Sequence, residues 1–264
     1  MSNTTDSNMF AGERRRFIVD YVNKHSKASV SELCEQFGVS SATIRNDLNE
    51  LKELGLLERT HGGAMTTNSV QFEMTSSQKM VKFQQEKKAI AERALAYIHD
   101  GDSIGLDAGT TTFEIAKLLR KFNELTVVTY DLNIANYLDH NTSVRIIISG
   151  GEVRKNFHYI TGDAAYNTIK NLNLDVVFLA ANGISIEKGI TTPHMDTALL
   201  KRTMMGNAKN LILTADHSKI DNISFTKFAD LEQMDVFISD NGADMTAINK
   251  IRVKNIKVDL AECK

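Results

Sequence analysis

The sequence predicts an α/β protein in two parts: a small helical module closed by a β-hairpin, residues 10–66, and a larger domain with a mainly parallel sheet, residues 86–264. The first part shows short helical periods with strong capping residues and ends in a Gly-Gly turn. The second alternates apolar, strand-like runs with helical segments, the signature of a parallel sheet covered by helices. Residues 67–85 between them are polar and mostly aperiodic, and read as a linker.

A first helix is expected over Glu13–His25, with Phe17, Ile18, Tyr21 and Val22 as its apolar stripe and Arg14, Arg15 and Arg16 in its first turn. Ser29 opens a second helix. With Glu32 it forms a capping box, in which the hydroxyl takes an orphan N–H and the carboxylate reaches back. Val30, Leu33, Cys34 and Phe37 face inward, and Gly38 supplies a left-handed stop. Ser40 caps a third helix carrying Ile44, Leu48, Leu51 and, less well aligned, Leu54; Gly55 closes it. Two short capped helices across a tight Gly-containing turn make a helix-turn-helix. The run from Leu56 to Thr60, then His61-Gly62-Gly63-Ala64, gives a hairpin in the position of a wing.

In the larger domain a helix begins at Glu86, carries Ile90, Ala94, Leu95 and Ile98, and stops at Gly101. Strands are expected over Ser103–Asp107, Leu125–Thr129, Val144–Ile148, Asp175–Ala180, Asn210–Ala215 and Val236–Ser239, with helices such as Thr112–Arg120 and Asn133–Leu138 between them. The strands are nearly continuous apolar runs, as when both faces of a sheet are buried.

Composition narrows the function classes. Net charge is −2, and the first 65 residues carry eight Lys or Arg against nine Asp or Glu. A case for nucleic acid therefore rests on where the charges sit. No apolar run approaches the ~18 residues of a membrane span, and Met1–Phe10 lacks the apolar stretch of a signal peptide. Two cysteines, Cys34 in a small core position and Cys263 near the exposed end, make neither a disulfide framework nor a zinc cluster. They point to a reducing, cytoplasmic setting. No metal ligands and no cofactor are expected.

The outward face of the third helix holds Ser41, Thr43, Arg45, Asn46 and Asn49, preceded by Ser40. Arg can grip guanine and Asn adenine in bidentate fashion, while Ser and Thr reach bases or phosphates. Arg14–Arg16, Lys52 and Arg59 are candidates for phosphates that set register. On the wing, His61 with Gly62 and Gly63 allows close backbone approach to the duplex. Near-neutral charge makes one copy a poor binder of double-stranded DNA, so a homo-oligomer, dimer or tetramer, is expected.

The densest chemistry of the larger domain follows its first strand. Asp107 ends the strand, and the loop Ala108-Gly109-Thr110-Thr111-Thr112 opens a helix whose N–H groups favour an anion. Gly150-Gly151 and the run Thr214–Lys219 follow other strands. There, Asp216 suits sugar hydroxyls and Lys219 a phosphate. An enzyme that works by acid–base catalysis needs a placed base, usually a carboxylate, and the helix Thr197–Ala208 has none. Lys201 and Arg202 read as helix-surface charges, with a phosphate or interface role as the alternative. No catalytic residue is assigned.

The run SVSELCEQFGVSSATIRNDLNELKELGLLERTHGGAM resembles the winged helix-turn-helix of the DeoR family of bacterial repressors. The stretches DGDSIGLDAGTTT, VVTYDLNIA, SGGEVR, NGISIEKGITT, LLKRTMM and ADHSK resemble the family's sensor domain, whose fold is similar to ribose-5-phosphate isomerase. The resemblance implies an operator-binding repressor of sugar metabolism that responds to a phosphorylated sugar. A sugar-phosphate isomerase-like enzyme with an appended DNA-binding domain is the alternative. It implies Asp107, Gly109, Thr110, Thr111, Thr112, Gly150, Gly151, Asp216 and Lys219 as effector-site residues, with Lys79 and Lys87 as further candidates. Four positions depart from the pattern: Asn46 stands where a second arginine is common, Tyr130 for asparagine, Gly162-Asp163 for Gly-Pro, and Asp221 for glycine.

Overall fold

The structure is a computed structural model that describes residues 9–66, 70 and 73–263. The chain divides into two compact units, residues 1–74 and 75–264.

In the first unit, α1 (Ala11–His25) stops at Ser26, whose φ of 65° turns the chain into β1 (Lys27–Ser29). Ser29 then caps α2 (Val30–Phe37) with the expected box: its hydroxyl accepts the Glu32 N–H at 3.2 Å, and its own N–H reaches Glu32 Oε2 at 2.6 Å. Gly38, at φ 64°, ends α2, and Ser40 caps α3 (Ser41–Glu53). The wing is β2 (Glu58–Thr60) and β3 (Gly63–Met65), with β3 at the centre of a sheet ordered β1-β3-β2. β1 was not expected, because three residues reading Lys-Ala-Ser carry no apolar period. Ile18, Val22, Leu33, Ile44, Leu48, Leu51 and Leu57 form the core. The α1 stripe is corrected: Phe17 is half exposed, and Val19 is buried instead. Arg14, Ile18 and Val22, spaced at four residues, share the inward face, which leaves Phe17 outside it.

In the second unit the segment read as linker contains α4 (Ser76–Met80), capped by Thr75; α5 (Gln84–Ala94) follows. The elements then run β4 (Ser103–Leu106), α6 (Thr110–Leu118), β5 (Thr126–Thr129), α7 (Leu132–Asn141), β6 (Arg145–Ile148), β7 (Glu152–Arg154), β8 (Tyr159–Thr161), α8 (Asp163–Lys170) and β9 (Leu174–Leu179). Next come β10 (Gly183–Ser185), β11 (Gly189–Thr192), α9 (Met195–Gly206), β12 (Ala208–Thr214), β13 (Thr226–Ala229), β14 (Val236–Asp240), α10 (Met245–Arg252) and β15 (Lys257–Ala261). Seven strands make one sheet ordered β15-β14-β12-β9-β4-β5-β6, parallel throughout. Side chains alternate across it. Val176 and Phe178 of β9 enter one core, and Val177 and Leu179 the other. β15 and the antiparallel strands β7, β8, β10, β11 and β13 were not expected; they are short and mostly polar or glycine-containing. Among the described residues no helix is long and apolar enough to cross a membrane. Cys34 and Cys263 are both half-buried.

Strand order reverses between β4 and β9, since β5 and β6 lie to one side of β4 and β9, β12, β14 and β15 to the other. The crevice beyond the carboxyl ends of β4 and β9 is where open α/β sheets hold ligands.

Candidate functional sites in the two units

On α3, Ile44, Asp47, Leu48 and Leu51 are buried, while Ser41, Ala42, Arg45, Asn46 and Asn49 are exposed on the other side. Ser40 and Thr43 are partly engaged in the cap: Ser40 Oγ accepts the Thr43 N–H at 3.1 Å and lies 2.9 Å from Thr43 Oγ1. Arg59 of the wing donates to Asn49 Oδ1 at 2.6 Å and to the Arg45 carbonyl at 3.3 Å. Asn49 thus orients the wing arginine against the helix.

Arg14 and Arg15 are corrected. They hold Asp47, not phosphates: Arg14 Nε lies 2.6 Å from one carboxylate oxygen, and Arg15 Nε 3.0 Å from the other. Arg15 also pairs with Glu50. Asp47, only 2% exposed, locks α3 to α1. Gly63 is corrected as well. A Cβ there would lie 2.0 Å from the Ala28 carbonyl oxygen, so its lack of a side chain serves the β1–β3 contact. Gly62 and His61 are exposed at the tip.

At the reversal point of the large sheet, Asp107 is wholly buried. One oxygen accepts the Tyr130 hydroxyl; the other accepts the Ala180 N–H at 2.7 Å and the Lys201 ammonium. Lys201 also donates to the Ala180 carbonyl at 2.9 Å. The reading of Lys201 as a surface charge is overturned: it is 2% exposed and joins α9 to β4 and β9. A lysine on a helix face shared with Thr197, Ala198, Met204 and Met205 is the signal that could have found it, because a buried ammonium requires a carboxylate. Asp107 is therefore an internal anchor with both oxygens occupied. Burial, then the Asp107 carboxylate, hold the Tyr130 hydroxyl well above the usual phenol range.

Thr112 is likewise internal, its hydroxyl donating to the carbonyls of Asp107 at 2.7 Å and Gly109 at 2.9 Å. Thr111 is buried and Thr110 half-buried. Gly109 must be small, since a Cβ would lie 2.8 Å from that of Ala180. Asp131 caps α7, and burial raises its carboxyl to about 7 against the opposing N–H groups of Ile134, Asn133 and Gly109. The sequence reading did not single it out.

The lysines gather nearby. Asp216 is 1% exposed: Oδ1 accepts the Ser218 N–H at 3.1 Å, and Oδ2 is buried without a hydrogen-bond partner, 4.0 Å from Lys219 Nζ. Burial lowers the Lys219 pKa; Asp216 opposes this, and Lys79 and Lys82 add to it. Burial also lowers Lys87, to about 8, with Asp216 opposing and Lys219 and Lys79 contributing. Lys79, Lys82, Lys87, Asp216 and Lys219 thus form one cluster, and α4 and α5 pack on α6. Lys82 is an addition to the expected set. Gly150 and Gly151 lie elsewhere: β6 is four strands from β12, about 19 Å at the usual strand spacing. Gly151, at φ 137°, is shaped by the Thr161 carbonyl, 2.3 Å from where a Cβ would stand.

Two family models cover most of the chain: a DeoR-like helix-turn-helix domain over residues 14–70 and a DeoR C terminal sensor domain over residues 82–241. The chain belongs to the DeoR family. Similar curated proteins include the HTH-type transcriptional regulator GlpR of Haloferax volcanii, 37% identical over 95% of this chain and 98% of its own length. The putative aga operon transcriptional repressor of Escherichia coli O157:H7 is 34% identical over 94% and 93%. The HTH-type transcriptional repressor GlcR of Bacillus subtilis is 33% identical over 88% and 89%. Among solved structures, a D-ribose-5-phosphate isomerase in complex with phospho-erythronic acid aligns over 52% of this chain and 54% of its own, at 17% identity and a TM-score of 0.40. A translation initiation factor eIF-2B from Pyrococcus horikoshii aligns over 82% and 74%, at 14% identity and a TM-score of 0.45.

Three of the four positions at which the sequence departs from the expected pattern have a local role. The Tyr130 hydroxyl reaches Asp107. Asp163 takes the first position of α8, where an acidic side chain suits the helix dipole. Asp221 adopts φ 61°, the left-handed region in which glycine is at ease.

Proposed function

We propose that this DeoR-family protein is a cytoplasmic repressor of a sugar-metabolism operon whose operator affinity is set by a phosphorylated sugar. Ser41, Thr43, Arg45 and Asn46 read the major groove, with Ser40 at the helix start; Arg59, His61 and Gly62 approach the backbone, and Asn49 steadies Arg59. A homo-oligomer presents two such heads to two half-sites. The phosphate lies between the α6 N-terminus at Thr110 and Lys219, and Asp216 takes a sugar hydroxyl. The observation that carries this reading is the buried Asp216 Oδ2, which has no hydrogen-bond partner and lies 4.0 Å from Lys219 Nζ, with the buried Lys87 ammonium within its field. A hydroxyl donated to Oδ2 removes an unsatisfied acceptor, and a phosphate offsets the crowded cations. Regulation is linkage: a ligand that prefers one arrangement of the sensor shifts the DNA-binding equilibrium by that preference. We assign no catalytic role, since Lys201, where an isomerase would combine a base with cations, is bound to Asp107.

Lys219→Ala tests the reading. Operator binding persists and the response to the sugar phosphate disappears, as followed by operator titration with and without ligand. In calorimetry on the native protein, the unphosphorylated sugar binds far more weakly than its phosphate. Equal affinities for the two, or a normal response in Lys219→Ala, refute the assignment.

A further inference from the structure

The segment Thr75–Phe83, between the start of the second unit and α5, is held at three places. At its start, Ser76 donates its N–H to the Asn156 carbonyl at 3.1 Å and its hydroxyl to the Phe157 carbonyl at 2.7 Å, both in the β7–β8 turn. At its end, the Phe83 ring meets the His217 ring edge-on, with centroids 5.0 Å apart. Between these, the Lys87 ammonium reaches back from α5 and donates to the carbonyls of Lys79, at 2.5 Å, and Lys82, at 2.6 Å.

The Lys79 carbonyl lies in the last turn of α4, where it also accepts the Lys82 N–H, and the Lys82 carbonyl lies two residues past that end, where the helix dipole favours a cation. Lys87 is 4% exposed. Its side chain acts as a buried cap that closes the five-residue α4 and joins it to α5. An isolated helix of that length does not persist in water, so its order depends on such external ties. Phe83 and the residues around the turn that receives Ser76, Asn156 and His158, adopt left-handed φ values of 51°, 69° and 57°. Residues hold such conformations where the surrounding structure over-determines them.

We propose that Lys87 is a positioning residue of the sensor: its ammonium clamps the strap Thr75–Phe83, which seats Lys79 and Lys82 beside Lys219 and makes the strap the element that registers a bound phosphate ester. This rests on the reading of the lysine cluster as an anion site. The clamp sits among charges able to change its hold. Asp216, Lys219, Glu114 and Lys79 all act on the Lys87 ammonium. A phosphate ester drawn to Lys79 and Lys219 relieves the repulsion on Lys87 and tightens the strap. Thr75 follows directly on Met74, the last residue of the first unit, so the strap is the part of the sensor from which the chain leads to the DNA-reading helices.

Hydrogen exchange by mass spectrometry on the full chain, native, Lys87→Met and Lys87→Arg, tests the clamp, with ribose 5-phosphate and inorganic phosphate as probes. The expected result without ligand is exchange at least tenfold faster over residues 76–82 in Lys87→Met, unchanged exchange in β9 and β12, and recovered protection in Lys87→Arg, whose guanidinium can also reach two carbonyls. With ligand, the native strap gains protection, and calorimetry shows at least a tenfold loss of probe affinity in Lys87→Met that Lys87→Arg partly restores. Native-like exchange in the Lys87→Met strap overturns the clamp. A loosened strap with undiminished probe affinity overturns the positioning role. Lys219→Ala separates the two readings, because it removes a phosphate partner while leaving the unliganded strap protected. A native protein that binds neither probe overturns both the anion site and the strap's part in reading it, whatever the exchange shows.

Discussion

Each unit contains a buried aspartate held by one or more cations from a helix elsewhere in its sequence, and the two differ in how completely those cations are enclosed. Asp47 lies on the inner face of α3, gripped by Arg14 and Arg15, whose side chains are 11% and 28% exposed. Asp107 lies at the reversal point of the large sheet against Lys201, whose side chain is 3% exposed, with Tyr130 and the Ala180 N–H completing its shell. The first set orients α3, whose other face is the one proposed to meet DNA. The second fixes four segments, the ends of β4, β5 and β9 and the middle of α9, around the crevice itself. A charge pair in the open first case is partly served by water when broken; one in the closed second case is not.

That difference can be tested by removing one partner at a time. Lys201→Met leaves the Asp107 carboxylate without its cation in a dry site and should cost about 3–5 kcal/mol in urea unfolding of the full chain. Adding Asp107→Asn should return part of the loss, since the two sites are directly coupled. If Lys201→Met unfolds at the native midpoint, the enclosed pair is not what holds the crevice together. Asp47→Ala should cost less, about 2 kcal/mol, because both arginines can turn toward solvent. The signature to seek is a lower midpoint for the first unit, together with weaker operator binding that is uniform across operator variants. Arg45→Ala should leave unfolding unchanged and reduce operator binding by ~1–3 kcal/mol, with relaxed preference at one base pair. A change in stability with unaltered base preference would place Arg45 on the structural side of the comparison.

The helix-turn-helix was legible because its punctuation is local. Ser29 with Glu32, Gly38, Ser40 and Gly55 each act within a few residues, and each marks a boundary close to where the chain turns. The six expected strands of the large sheet were legible for a related reason, as apolar runs too long and continuous for one exposed face. What was not legible depends on distant partners. Nothing near Arg14 announces Asp47, thirty-three residues on, and nothing in LLKRTMM announces Asp107. The lysine cluster was half readable. Lys219 and Asp216 lie in one short loop, whereas Lys82 joins them only because α4 folds back over α6. Thr112 and Asp107 stand where the sequence places them but serve another role, since both belong to the framework beneath the crevice.

The paired glycines at the wing have consequences for altering what this protein reads. Gly63 is sealed by the neighbouring strand and admits no side chain, so variation there would act on the fold before it acted on DNA. Gly62 lacks that constraint: nothing lies within 4 Å of where its Cβ would stand, and its φ is not of the kind reserved for glycine. The tip of the wing is thus an open, exposed position that accepts a side chain without disturbing the packing. Within one dipeptide the molecule separates a residue that packing fixes from one that packing leaves free to vary.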